Sequence, residues 1–386
     1  MNTTTRTRIA SLDIVRGAVM VLMAIDHVRV FAGVPPGGPE PAVFFTRWVT
    51  HFCAPLFVFL AGTAAFLYGE KLGSKSAISK FLLLRGLWLI LLELTLLRFG
   101  WTFNFDYASF TFAGVIWVIG AAMVVLSGLV WLPLKAIAAI GIFLIAGHNA
   151  FGGALYGVND PSWWLQLLYV GGSFQLGREG WNVAILYVLL PWAGVIAAGY
   201  AFGAVMRFEA ETRRRTLLRI GEIAIALFIG LRVTGVYGDP SRWSTANDGI
   251  SPVLGFLNTA KYPASLLFLL MTIGPGILAI RYLENAKGRV AGWLQTFGEV
   301  PFFYYVLHIP LIHLVAVLIA MVRTPDQVGW LFGNHPLLPP PVPEGYRWSL
   351  WLLYAVTAFV VVALYFPCRW YAERKRTAPL PWMRWI

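Results

Sequence analysis

Apolar residues run along this chain in blocks set apart by short polar stretches, at positions 12 to 33, 52 to 69, 81 to 99, 111 to 131, 134 to 150, 184 to 206, 217 to 236, 263 to 283, 300 to 322 and 349 to 367. Each block is long enough, or nearly so, to cross a bilayer as a helix of about 20 residues. The pattern therefore predicts an all-α polytopic membrane protein of about ten transmembrane helices. Between the first two blocks, residues 34 to 50 carry four prolines and form a turn-rich loop. Residues 148 to 183 make the longest loop; it is too polar and Gly-rich to span, but Trp163 and Trp164 suit it to the membrane interface, where it could act as a lid. Residues 333 to 348 are proline-rich and read as extended. The basic tail 368 to 386 ends in an aromatic stretch suited to an interfacial anchor. No internal repeat is visible, so residues 1 to 386 read as a single transmembrane domain.

Charge sets the orientation. With the N-terminus in the cytoplasm, most of the 30 Lys and Arg fall in loops on that side, which places both termini there. A hydrophobic share of 58% against 12% charged residues, with a mean hydropathy of +0.69, fits the same class. The net charge of +12 is what basic loops facing anionic lipid require, and no nucleic-acid partner is needed to explain it. Cys53 and Cys368 fall near opposite membrane faces, so neither a disulfide nor a metal-type spacing is expected. Asp13, Arg16 and Asp26 interrupt the first apolar run and no clear cleavage site follows, so this run reads as a retained span.

Ionisable groups inside a span are costly and mark candidate sites. The stretch from Ser11 to His27 holds four: Asp13, Arg16, Asp26 and His27. Arg16 and His27 are eleven residues apart, close to three turns, and share one helix face about 16 Å long on which an acyl carrier could lie. His27 is a candidate base. Asp26 points about 100° away from it, so another group must orient the ring. His51 lies at the entrance of the second span. His27, His51, His148, His313 and His335 all fall in the outer half or outer loops, with His308 nearer the middle, joining the site or bonding a neighbouring helix. Asp13 can pair with Arg16 and also suits the helix N-terminus next to Ser11 as cap, while Arg16 could contact a phosphate or an amide of the carrier. His308 and His313 are offset by about 140° and form no metal face, so no metal is expected. Glu93 with Arg98, and Glu222 with Arg232, read as structural pairs. Walker, dinucleotide and G-x-S-x-G motifs are absent.

Several stretches, SLDIVRG, MAIDH, FFTRWVTHFCAPLFVFLAGTAAFLYG, RGLWLILLEL, GWTFNF, GHN, YGDP, FLNTAKYP and FGEVPFFYYVLH, together resemble a bacterial membrane family. It takes its name from the catalytic domain of heparan-alpha-glucosaminide N-acetyltransferase. Arg16-x10-His27 also resembles the motif of acyltransferase family 3, in which the histidine is the presumed base. The resemblance implies an acyltransferase of the bacterial inner membrane, multi-pass, a homodimer being allowed. It would move an acyl group, acetyl first, from cytoplasmic acetyl-CoA or another acyl-CoA to a hydroxyl or amine of an extracytoplasmic sugar or glycan. The chain departs from the lysosomal enzyme, which has asparagine at the His27 position, an aspartate at that of His51, and its catalytic histidine in the loop where residues 34 to 50 contain none. The base is therefore His27 or His51. The candidate roles are catalysis for His27, His51 and Asp26, donor binding for Arg16, Asp13 and His308, and acceptor binding or oxyanion stabilisation for Asn149, Asn258 and Lys261. A transporter of a polar solute and a non-catalytic envelope-pathway protein are the alternatives.

Overall fold

The computed structural model describes residues 9–155, 158–177, 180–243, 251–333, 341–378 and 380–384. His335 and the pair Arg178 and Glu179 lie outside them. Every apolar block contains a helix. Five helices are long and apolar enough to cross a membrane: Pro41–Leu72, Leu134–Phe151, Leu189–Arg207, Pro301–Arg323 and Leu350–Thr377. Val115–Leu129 and Leu266–Tyr282 are apolar but shorter. The first helix, Ala10–Phe31, the helical run over residues 75–102 and the helix Ala210–Thr234 carry more charge. The molecule is thus a predominantly helical integral membrane protein.

Two features differ from the expectation. The segment 148–183 is no plain loop, because β2 (Gly172–Leu176) and β3 (Trp181–Ile185) pair antiparallel, and β1 (Thr111–Ala113) joins β3 in parallel to give the order β1-β3-β2. Its residues alternate between exposed and covered positions too weakly for the periodicity to announce strands. The second feature is an amphipathic helix, Arg289–Glu299, lying against the first helix. Two glycines allow this approach: a Cβ at Gly17 would stand 1.8 Å from the Leu294 carbonyl oxygen, and one at Gly298 would stand 1.8 Å from that of Asp13.

The charges expected to pair do something else. Glu93, fully buried, accepts the amide hydrogens of Ile116 (2.7 Å) and Trp117 (2.9 Å) and so caps the helix that follows β1. Arg98 donates instead to the carbonyl of Phe110 (2.8 Å), to Asn104 Oδ1 (2.7 Å) and to the Asp106 carbonyl, holding the turn after its own helix. Arg232 pairs not with Glu222 but with Asp239 (3.7 Å). At the other end of that helix, Arg213 (2.6 Å) and Arg214 (2.9 Å) clasp Glu284. Burial opposes its charge, yet the two guanidiniums hold its carboxyl below the usual carboxylate range.

Candidate functional site

Near its C-terminal end the first helix meets Pro301–Arg323, and here the two sequences bring His27 against His308. His27 Nδ1 is 2.6 Å from His308 Nε2, with the rings stacked at 4.8 Å. His308 is fully buried, and its Nδ1 faces the carbonyls of Tyr305 (2.7 Å) and Tyr304 (3.2 Å) one turn back in its own helix. Carbonyls only accept, so Nδ1 of His308 carries its hydrogen and Nε2 presents a lone pair. His27 therefore donates through Nδ1, and its own lone pair is left on Nε2. That atom has no hydrogen-bond partner among the described residues, and the side chain is half-buried. Trp101 (4.8 Å) and Tyr305 (6.1 Å) set their rings edge-on to His27 and fix its plane. His308 is thus the group that orients His27.

Asp26 does not touch the His27 ring, as the helix geometry requires. Its carboxylate is held by Arg29 Nε (2.9 Å), three residues on, and by Lys261 Nζ (3.9 Å). Lys261 is almost wholly buried and lies over the Tyr262 ring at 5.2 Å. The loop that delivers it is framed by Asp239, which accepts from Ser265 Oγ (2.8 Å) and the Ala260 amide (2.9 Å). It is framed also by Arg232, which donates to the carbonyls of Asn258 (2.8 Å), Gly255 (2.8 Å) and Phe256 (3.0 Å). The YGDP and FLNTAKYP stretches are therefore one folded unit.

His51 has a different setting. Arg47, one turn earlier on the same helical segment, donates through Nη1 to His51 Nε2. A guanidinium has no lone pair to offer, so the His51 base nitrogen is occupied and its hydrogen sits on Nδ1. That Nδ1 is buried with no hydrogen-bond partner, as is the indole Nε1 of Trp48. Leaving a buried donor unmet costs about 1–3 kcal/mol. Arg47, Trp48, His51, Phe44, Asn258 and residues 36–38 line an open cavity of about 260 Å³. A second cavity, about 330 Å³, lies between Tyr262, Pro263 and the β2 and β3 segments.

The remaining candidates do not gather here. Asn149 Oδ1 accepts the Leu266 amide (2.8 Å), and His148 Nε2 contacts the Ala264 carbonyl (2.8 Å), so the GHN stretch secures the start of the helix Leu266–Tyr282. His313 stacks between Phe103 (3.8 Å) and Phe31 (4.6 Å) and faces the Gly100 carbonyl. At the far end of the first helix Arg16 Nη1 donates to Asp13 Oδ1 and to the Gly298 carbonyl, each at 3.1 Å. Asp13 and Arg16 pair, as the spacing suggests. Ser11 does not cap the helix: it lies inside the first turn, and Ile9 occupies the cap without a side-chain bond. Arg29 and Arg47, counted in the sequence only as loop charges, belong to the site; the i,i+3 and i,i+4 spacings Asp26–Arg29 and Arg47–His51 are the signals that point to them.

No curated protein matches the chain. The family described as heparan-alpha-glucosaminide N-acetyltransferase, catalytic, matches residues 8–235, which include His27, His51 and Asn149 and end before Asn258, Lys261 and His308. With more than half of its length covered, the chain belongs to this family of transmembrane acetyltransferases.

Proposed function

We propose that this protein transfers an acetyl group from cytoplasmic acetyl-CoA to a hydroxyl or amine of a sugar or glycan on the opposite side of a bacterial inner membrane, with His27 as the general base. One observation carries the assignment: the His27 tautomer is fixed with its Nε2 lone pair unengaged, whereas the corresponding nitrogen of His51 is taken by Arg47. The chain acts as one domain with about ten spans, its termini and the Arg16 end of the first helix on the cytoplasmic side.

Nε2 of His27 takes the acceptor proton as the acceptor oxygen or nitrogen bonds to the thioester carbonyl carbon. The C–S bond then breaks, and CoA leaves as a thiolate that recovers the proton from the imidazolium. His308 positions His27 and accepts from its Nδ1–H throughout, spreading the charge that His27 gains. Lys261, held by Asp26, supplies positive potential for the oxyanion. Arg16 binds both Asp13 and the Gly298 carbonyl, so this pair frames the donor entrance beside the helix Arg289–Glu299.

The test uses purified full-length protein, acetyl-CoA, and a panel of amino sugars and glycans, reading binding and thiol release. His27→Ala is expected to lower acceptor-dependent release by about 10²–10⁴-fold, and His51→Ala is expected to keep the chemical step while weakening acceptor capture. If His51→Ala abolishes release and His27→Ala spares it, the base is misassigned. Absence of acetyl-CoA binding would move the reading to transport.

A further inference from the structure

Among the described residues, the cavity beside His51 is lined by Arg47, Trp48, His51 and Asn258 together with apolar groups, and by no carboxylate. Arg47 brings a guanidinium that stands in no ion pair among the described residues. His51, 3% exposed, keeps its Nδ1–H buried and unmet. Trp48 adds an indole N–H in the same condition. An indole nitrogen and a guanidinium can only donate, and His51 donates as well while Arg47 holds its Nε2. The two other nearby cations are committed elsewhere, Arg29 to Asp26 and the Val34 carbonyl and Lys261 to Asp26. The positive charge of Arg47 is the one left facing the cavity.

We infer that this cavity is a subsite for an oxyanion, a carboxylate or phosphate carried by the acceptor next to the group that is acetylated. The inference rests on the proposed transferase reading for the word acceptor, but not for the anion site itself. At about 260 Å³ the cavity lies just below the usual range of small-molecule pockets, so it takes one sugar-sized group. A guanidinium with no carboxylate partner among the described residues, flanked by residues that carry two unmet N–H groups, suits an oxyanion better than a neutral hydroxyl, because a charged acceptor makes the stronger bonds to N–H groups. One short segment ties the cavity to the His27 corner: Asn258 forms part of its wall, and Lys261, three residues on, reaches Asp26 beside His27. An acceptor held by its anion at Arg47 would thus extend its neutral end toward the base.

The experiment titrates the purified full-length protein with inorganic phosphate, with glucuronate and with glucose, following tryptophan fluorescence and thermal shift. It compares wild type with Arg47→Gln and Trp48→Phe, and measures acetyl-CoA binding in parallel. Phosphate and glucuronate are expected to bind and glucose not to. Arg47→Gln should weaken the anions by about tenfold or more, and Trp48→Phe, which loses one N–H and keeps a ring, by about threefold. Stronger response to phosphate than to glucuronate would name a phosphorylated acceptor, and the reverse order an acidic sugar; both support the subsite. Equal binding of glucose and glucuronate, or anion binding that both variants retain, would overturn it. A variant that loses its cooperative melt is replaced by the other for this reading. Arg47-dependent anion binding without acetyl-CoA binding would leave the subsite standing and remove the transferase reading. His27-dependent thiol release without an anion effect would do the opposite.

Discussion

At the Asp13 end of the first helix the protein supplies contacts inward: Arg16 bonds Asp13 and the Gly298 carbonyl, and two glycines let the helix Arg289–Glu299 lie in backbone contact. At the His27 end, about 16 Å beyond Arg16 along the same helix, the neighbouring helix supplies a single acceptor, and the second ring nitrogen of His27 has no hydrogen-bond partner among the described residues. Both ends carry ionisable residues that cost free energy in a membrane. The difference lies in how that cost is met, by close packing and pairing at one end and by orientation without full satisfaction at the other. A buried charge is therefore informative about chemistry only once its partners are known.

The largest effect expected from this contrast is at His308. His308→Leu removes the acceptor for His27 Nδ1–H and should lower kcat by about 10²-fold, the lower end of what a positioned base supplies, with little change in KM. His308→Gln keeps an acceptor and should recover part of that loss. Equal defects in the two variants, each accompanied by a matching loss of melting temperature, would make His308 a packing residue only. Next comes Gly17→Val, whose side chain would meet the Leu294 carbonyl; overpacking of this kind costs about 1–3 kcal/mol. Gly292→Ala, where a Cβ meets nothing within 4 Å, is the matched control, and thermal unfolding in detergent compares the two. An equal response would show that the two helices do not pack closely. The smallest effect is at Asn149, where loss of the acceptor for the Leu266 amide should cost about 1 kcal/mol, the helix Leu266–Tyr282 keeping its Ser265 cap. An acceptor KM that rises in Asn149→Ala with no change in unfolding would return that residue to the binding site.

The helices were legible because lipid imposes long apolar runs, and their order follows from the loops between them. The sheet was not, since β1 is three residues long at the start of an apolar block and pairs with a strand some seventy positions away. The helix Arg289–Glu299 was hidden by its charge and short length. In the site, His27 stood out as an ionisable group in a span, and the geometry of adjacent helical residues already required a partner other than Asp26. That the partner is His308 depends on how two helices distant in sequence cross, which periodicity does not encode. In the GHN and YGDP stretches Asn149 and Asp239 hold backbone, a role that polar side chains near helix starts share with ligand binding. Arg47 illustrates the converse, because a guanidinium counted toward topology becomes informative only beside His51.

Arg232 ties three carbonyls of one turn of backbone, at Gly255, Phe256 and Asn258, to one guanidinium that keeps its charge at any biological pH. The wall of the His51 cavity is consequently ordered before anything enters it, and capture of a molecule there need not include the entropy of folding a loop. Discrimination among molecules that fit should then reside in how long each stays rather than in how fast each arrives.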